Sequence, residues 1–153
     1  MPPPTTVAEL IERINESRRQ FDQAIARLTD AQLLEPRLAG DWTVKDTRAH
    51  MAFWDQRAIT LIEKWKQEGV GPSAIDVDVM NEVTRMLCLA ISPVKAAELA
   101  IFLADKIDCL IEDLNPEMVE AILAEGTTVK LNRADHRRTH LSEIERALQV
   151  KGR

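Results

Sequence analysis

An apolar residue returns at every seventh position in two long stretches of this chain: Val7, Ile14, Phe21 and Leu28, then Val44, Met51, Ala58 and Trp65. Ile11 and Ile25 fill intermediate positions of the first stretch, Trp54 and Leu61 those of the second. Such a repeat keeps one stripe of an α-helix turned toward a helical neighbour. Both stretches are free of glycine and rich in residues that favour helices.

Glycine and proline separate the helical stretches. The first helix is expected over about 6–28. Thr29-Asp30-Ala31-Gln32 has the form of a capping box opening a single short turn. A loop through Pro36 and Gly40 leads to a second helix with Thr43 as N-cap and Asp46 near its positive end; Gly69, Gly71 and Pro72 stop it. A third helical region over about 76–114 is expected to kink or break at Pro93, with Ser92 capping its second part. Leu103, Ile107, Leu110 and Leu114 alternate there by four and three. A short helical turn begins at Asn115-Pro116 and ends at Gly126. Thr127-Thr128-Val129 is β-like but too short for a sheet. The last helix, over about 132–149, carries Leu141, Ile144 and Leu148 on one side. Four main helices joined by modest loops predict an all-α fold, an antiparallel four-helix bundle, in one domain over 1–153 with 1–5 as a flexible N-terminus.

The 153 residues are 45% apolar, enough for one domain with its own core. Twenty Lys and Arg against 25 Asp and Glu give a formal charge of −5, which speaks against a nucleic-acid partner and against docking on an anionic membrane. The first residues lack the basic and apolar regions of a signal peptide, and no apolar run is long enough to span a bilayer. With only Cys88 and Cys109, a disulfide scaffold is excluded and a reduced, cytoplasmic setting is expected. Both cysteines adjoin leucines and are expected to be buried.

A bundle alone says nothing about function. The informative residues are the three histidines. His136 and His140 stand one turn apart on the last helix, a spacing that lets two imidazoles chelate one metal ion. His50 lies on the second helix within one turn of Trp54. All three fit one site at one end of the bundle, and none is left over; the same spacing also suits exposed or hydrogen-bonded histidines with no metal. Asp46 and Glu143 are candidates to orient the imidazoles, though Asp46 also serves as a helix N-terminal charge and Glu143 also suits solvent. Arg133, Arg137 and Arg138 form either a carboxylate-binding patch or a solvated face. Trp42, Trp54 and Trp65 read as core or interface anchors, with Trp54 also placed to wall a pocket beside His50.

Gly40-Asp41-Trp42-Thr43-Val44-Lys45-Asp46, running into Ala49-His50-Met51-Ala52-Phe53-Trp54, resembles the second-helix motif of the DinB/YfiT-like superfamily. Val77-Asp78-Val79-Met80-Asn81 resembles the start of the third helix in its DfsB/ClbS-like branch, and Asp135-His136-Arg137-Arg138-Thr139-His140-Leu141 its C-terminal segment. The resemblance implies a four-helix bundle, often a homodimer, with a metal held by one histidine of the second helix and two of the last, here His50, His136 and His140. It also implies chemistry with a low-molecular-weight thiol as cosubstrate or protection against toxic metabolites. Parts of the ClbS-like branch lack the histidines; this chain keeps all three.

Three neutral imidazoles leave a divalent ion its full charge and an open position. Such an ion lowers the pKa of a bound water or thiol, and soft ligation suits Zn²⁺, Ni²⁺ or Fe²⁺. The expected function is therefore thiol transfer, or hydrolysis, on a small electrophilic substrate. The alternative is a non-catalytic bundle that sequesters a toxic metabolite or serves as an interaction module.

Overall fold

The computed structural model describes residues 2–35, 38–125 and 130–150, with the backbone alone at Val150. Gly126 and the β-like run Thr127-Thr128-Val129 lie outside the described residues. The described residues are all-helical, in the order α1 (Val7–Ala26), α2 (Asp30–Leu34), a 3₁₀ turn (Ala39–Asp41), α3 (Val44–Glu68), α4 (Val77–Ala90), α5 (Pro93–Glu112), α6 (Pro116–Glu125) and α7 (Arg133–Val150).

Capping sets most of these boundaries. Thr6 caps α1, Asp76 caps α4 and Ser92 caps α5, each accepting from the backbone N–H three residues on. Complete capping boxes open α2 (Thr29 with Gln32) and α3 (Thr43 with Asp46). Pro93 occupies the first turn of α5, where its missing N–H costs nothing, so the third helical region is two helices rather than one kinked one. The segment expected as a flexible N-terminus is hydrogen-bonded to α1: Pro2 accepts from Arg13, and Thr5 donates to Glu9.

The larger core cluster joins Leu10 and Ile14 of α1, Ile59, Ile62 and Trp65 of α3, Ile107 and Ile111 of α5, and Val119 and Ile122 of α6. A second joins Phe21, Val44, Met51 and Ile144, tying α1, α3 and α7 together. All four heptad residues of α3 are buried. The intermediate positions differ from expectation. On α1 the buried residues are Leu10, Ile14, Ser17 and Phe21, while Ile11 is only partly covered. On α3, Asp55, Ile59 and Ile62 turn inward, and Trp54 and Leu61 sit at the border.

Cys109 corrects another expectation. Cys88 is buried, but Cys109 is exposed, because Ile107, Asp108 and Ile111 occupy the inward face of α5. An apolar face is left uncovered on α4 and α5, carried by Val79, Val83, Met86, Leu87, Val94 and Phe102; Met86 is 71% exposed. No helix among the described residues is long and apolar enough to cross a membrane.

Candidate metal centre

His50 comes from the first half of α3, and the turn before that helix sets its surroundings. Gly40 (φ 71°) and Asp41 (φ 60°) are both left-handed, a conformation that is free for glycine and tolerated by aspartate. Leu38 N–H closes the turn on Trp42 C=O at 3.1 Å, and Arg85 donates to Gly40 C=O at 2.7 Å. Trp42 is thereby laid edge-on to His50, with ring centroids 5.6 Å apart. Trp54, one turn along α3, stands at 6.4 Å and donates its Nε1–H to Asn81 Oδ1 of α4 at 3.0 Å.

His136 and His140 project from α7 toward His50. Ring centroids lie 5.5 Å (His50–His136), 5.1 Å (His50–His140) and 4.7 Å (His136–His140) apart. One ring nitrogen from each can be chosen so that all three lie within 4.8 Å of one another. In a tetrahedral site with Zn–N of about 2.0–2.1 Å, ligand nitrogens are about 3.3 Å apart. The Nε2 atoms of His136 and His140 are already at 3.0 Å. A small inward movement would complete the set. His50, 8% exposed, has an Nδ1 with no hydrogen-bond partner among the described residues. A buried ring nitrogen left so costs about 1–3 kcal/mol, and a ligand to that ring offsets it.

Hydrogen-bond partners assign the tautomers on α7. Glu143 Oε2 lies 2.8 Å from His140 Nδ1, so that nitrogen carries the proton and Nε2 has its lone pair free. Arg133 Nη2 lies 3.3 Å from His136 Nδ1 and can only donate, so the neutral His136 carries its proton on Nε2 and donates to His140. Arg133 to His136 to His140 to Glu143 is thus a closed relay. Using His136 Nε2 as a metal ligand requires its proton to move to Nδ1, against the guanidinium. The donor set fits a divalent ion once Arg133 or the His136 ring turns aside.

Burial, reinforced by His140, lowers the His50 pKa to about 4. Burial and then Arg133, His140, His50 and Lys130 lower that of His136 to about 2. Both are neutral near pH 7, the form that binds metal.

Arg133 and Arg137 are buried, so they form neither the solvated face nor, with Arg138, the carboxylate-binding patch considered from the sequence. Arg133 donates twice to Asp55 Oδ1, at 2.6 and 2.9 Å. Arg137 donates to Asp108 at 2.7 Å and to Ile14 C=O at 3.3 Å. Arg138 faces elsewhere, beside Gln20, Arg27 and Ser142. Asp46 is spent on its cap: Oδ2 accepts from Thr43 N–H and Oγ1 at 2.9 Å each, while Oδ1 has no hydrogen bond of good geometry among the described residues and meets the Lys45 ammonium. Of the two carboxylates considered as orienting groups, Glu143 touches a histidine. Cys88 is no nucleophile, since burial and then Asp46 push its thiol pKa up.

Two clefts of about 590 and 330 Å³ meet at the histidines and share His50, Asn81 and His140. Asp55 escaped the sequence reading, and Asn81 entered it only within the segment of family resemblance, with no role at the site. The available signal for Asp55 was a carboxylate one turn beyond core-facing Met51, a position only a paired charge can hold. The chain matches no protein-family model, no curated protein and no solved structure.

Proposed function

We propose that this protein is a metal-dependent enzyme of the DinB/YfiT-like superfamily, closest to the DfsB/ClbS-like branch. On this reading His50, His136 and His140 hold a divalent transition metal, Zn²⁺, Ni²⁺ or Fe²⁺. The reaction is transfer of a low-molecular-weight thiol, or of water, to a small electrophile, in detoxification or stress response. The observation that carries it is the meeting of all three histidines of the chain in one cluster, with the buried His50 Nδ1 unpartnered among the described residues.

When bound, the metal would supply a lowered pKa to the thiol or water beside it. The chain's own residues do the rest. Glu143 holds His140 in the tautomer whose Nε2 is free. Trp42 and Trp54 flank His50 and limit water there. Lys130, Arg57 and Arg133 line the smaller cleft and favour an anionic reactant.

The finer fold reading, an antiparallel four-helix bundle of α1, α3, α5 and α7, belongs to the same proposal. It is supported by the opposed sense of α1 and α5, where Asn15 pairs with Glu112 and Arg18 with Asp105 and Asp108. A homodimer through the exposed α4–α5 face, and a reducing cytoplasmic setting for the free thiols of Cys88 and Cys109, complete it.

One observation favours a second reading, a non-catalytic binder. The relay from Arg133 through both α7 histidines to Glu143 satisfies those imidazoles without any metal. Metal analysis by mass spectrometry on untagged protein, beside the His136→Ala/His140→Ala variant, separates the two. About one equivalent of transition metal in the parent and none in the variant is expected. No metal in the parent, even after reconstitution with Zn²⁺, Ni²⁺ and Fe²⁺, would remove the enzyme reading.

A further inference from the structure

A third cavity, of about 360 Å³, opens on the other side of α3 from the histidines' clefts. Its walls come from α1, α3 and α5, with Arg137 of α7 contributing. The size lies at the lower end of small-ligand pockets, about 300–1,000 Å³. Phe21, Ile25, Met51, Ala100 and Ala104 make it largely apolar.

Its charged lining is unbalanced. Three guanidinium groups, Arg18, Arg48 and Arg137, stand there against two carboxylates, Asp22 and Asp55. Four of the five are committed. Arg137 is paired with Asp108 and Asp55 with Arg133, while Arg18 is hydrogen-bonded to Asp22 at 2.7 Å and ion-paired with Asp105. Arg48 is half-buried and has no ion pair or hydrogen bond among the described residues. A half-buried guanidinium with its planar donor fork open, on the rim of an apolar chamber, is built to receive a carboxylate.

We propose that this cavity is a second ligand site, independent of the histidine cluster, for a small amphipathic monocarboxylate. The carboxylate pairs with Arg48, and the apolar body lies against Phe21, Met51 and Ala104. One unpaired positive charge selects a monoanion over a phosphate dianion or a polyanion, and the apolar walls select a hydrocarbon body over a sugar.

The test titrates chelator-treated, full-length protein with octanoate and with 1-octanol by calorimetry. Octanoate is expected to bind saturably at one site, about tenfold or more tighter than the alcohol. Arg48→Met should erase that preference at unchanged helicity, and Arg48→Lys should keep part of it. His136→Ala/His140→Ala should bind octanoate as the parent does, so a failed metal site leaves this site standing. Methyl NMR of the parent, which needs no variant to fold, should show the Met51 signal shifting with octanoate. The proposal is overturned if octanoate shows no saturable binding at millimolar concentration or if the alcohol binds equally well. It is also overturned if Arg48→Met keeps the preference, if the double histidine variant loses octanoate binding, or if the Met51 signal does not move.

Discussion

The Arg133–Asp55 pair gives the sharpest test of how α7 is held, because it is almost dry: Arg133 is 6% and Asp55 4% exposed. At 2.6 Å and an effective dielectric of about 20, their attraction is about 6 kcal/mol, and desolvating two ions costs several kcal/mol apiece. The pair therefore contributes little net stability, yet breaking it is costly. Asp55→Leu strands the guanidinium beside His136, and Arg133→Met strands the carboxylate; each should cost about 3–5 kcal/mol. For a chain of this length that is a fall in Tm of about 6–20 °C. The double variant replaces both charges by apolar groups of similar bulk and should recover most of the loss, a coupling of about 3 kcal/mol or more. Urea unfolding of all four proteins measures this, provided the m value holds constant across the set. The double variant also lacks the donor that keeps the His136 proton on Nε2, so it should bind Zn²⁺ more tightly than the parent in competition with a chelator. Single variants that each cost under about 1 kcal/mol, or a cycle additive within about 0.5 kcal/mol, would refute the reasoning.

Two more predictions follow from burial and exposure. His50 has a folded pKa of about 4 against about 6.5 unfolded, so between those values the unfolded chain takes up a proton that the folded one refuses. Metal-free protein should lose about 3 kcal/mol on this account as the pH falls from about 6.5 to 4, and denaturant titrations of His50→Gln should show a shallower fall; equal pH profiles would count against it. If the parent is the proposed homodimer by light scattering, Met86→Glu, at a position 71% exposed on α4, should convert it to monomers at unchanged helicity; a dimeric mass that survives the change would exclude that face as the contact, and a monomeric parent would exclude the dimer.

What could be read from the sequence was what is decided locally. Thr43 with Asp46, Thr29 with Gln32, and Ser92 followed by Pro93 each fix a helix start within one turn, so those boundaries agree with the structure. The heptads found the inward face of α3 through Val44, Met51, Ala58 and Trp65. They missed Leu10 and favoured Ile11, because an adjacent pair of aliphatics differs by only one position around the helix, and packing decides which one is covered. The pairing of Asp55 with Arg133 spans 78 residues and that of Asp108 with Arg137 spans 29, beyond the reach of local spacing. Cys109 likewise looks like a core residue among its sequence neighbours, and only the rotation of α5 turns it outward.

The inward face of α7 connects these misses. Arg133, His136, Arg137 and His140 stand at i, i+3, i+4 and i+7, the spacing at which a helix buries its apolar stripe. Here that stripe is cationic and imidazole-bearing, with Ala134 and Ile144 the buried apolar residues of the helix among the described side chains. Leucine at the same positions would bury apolar surface with no desolvation cost and no need for Asp55 and Asp108 as partners. The chain instead carries two buried ion pairs that add little net stability and a histidine pair aimed at a third histidine. A helix that forgoes its hydrophobic stripe where packing alone would keep it is a local rule broken in one coherent place, and such places are expected to be functional or strained. The polar stripe also explains why charge composition misled the reading of the arginines: in phase with Leu141 and Ile144, Arg133 and Arg137 face the core, and Arg138, one step round the helix, does not.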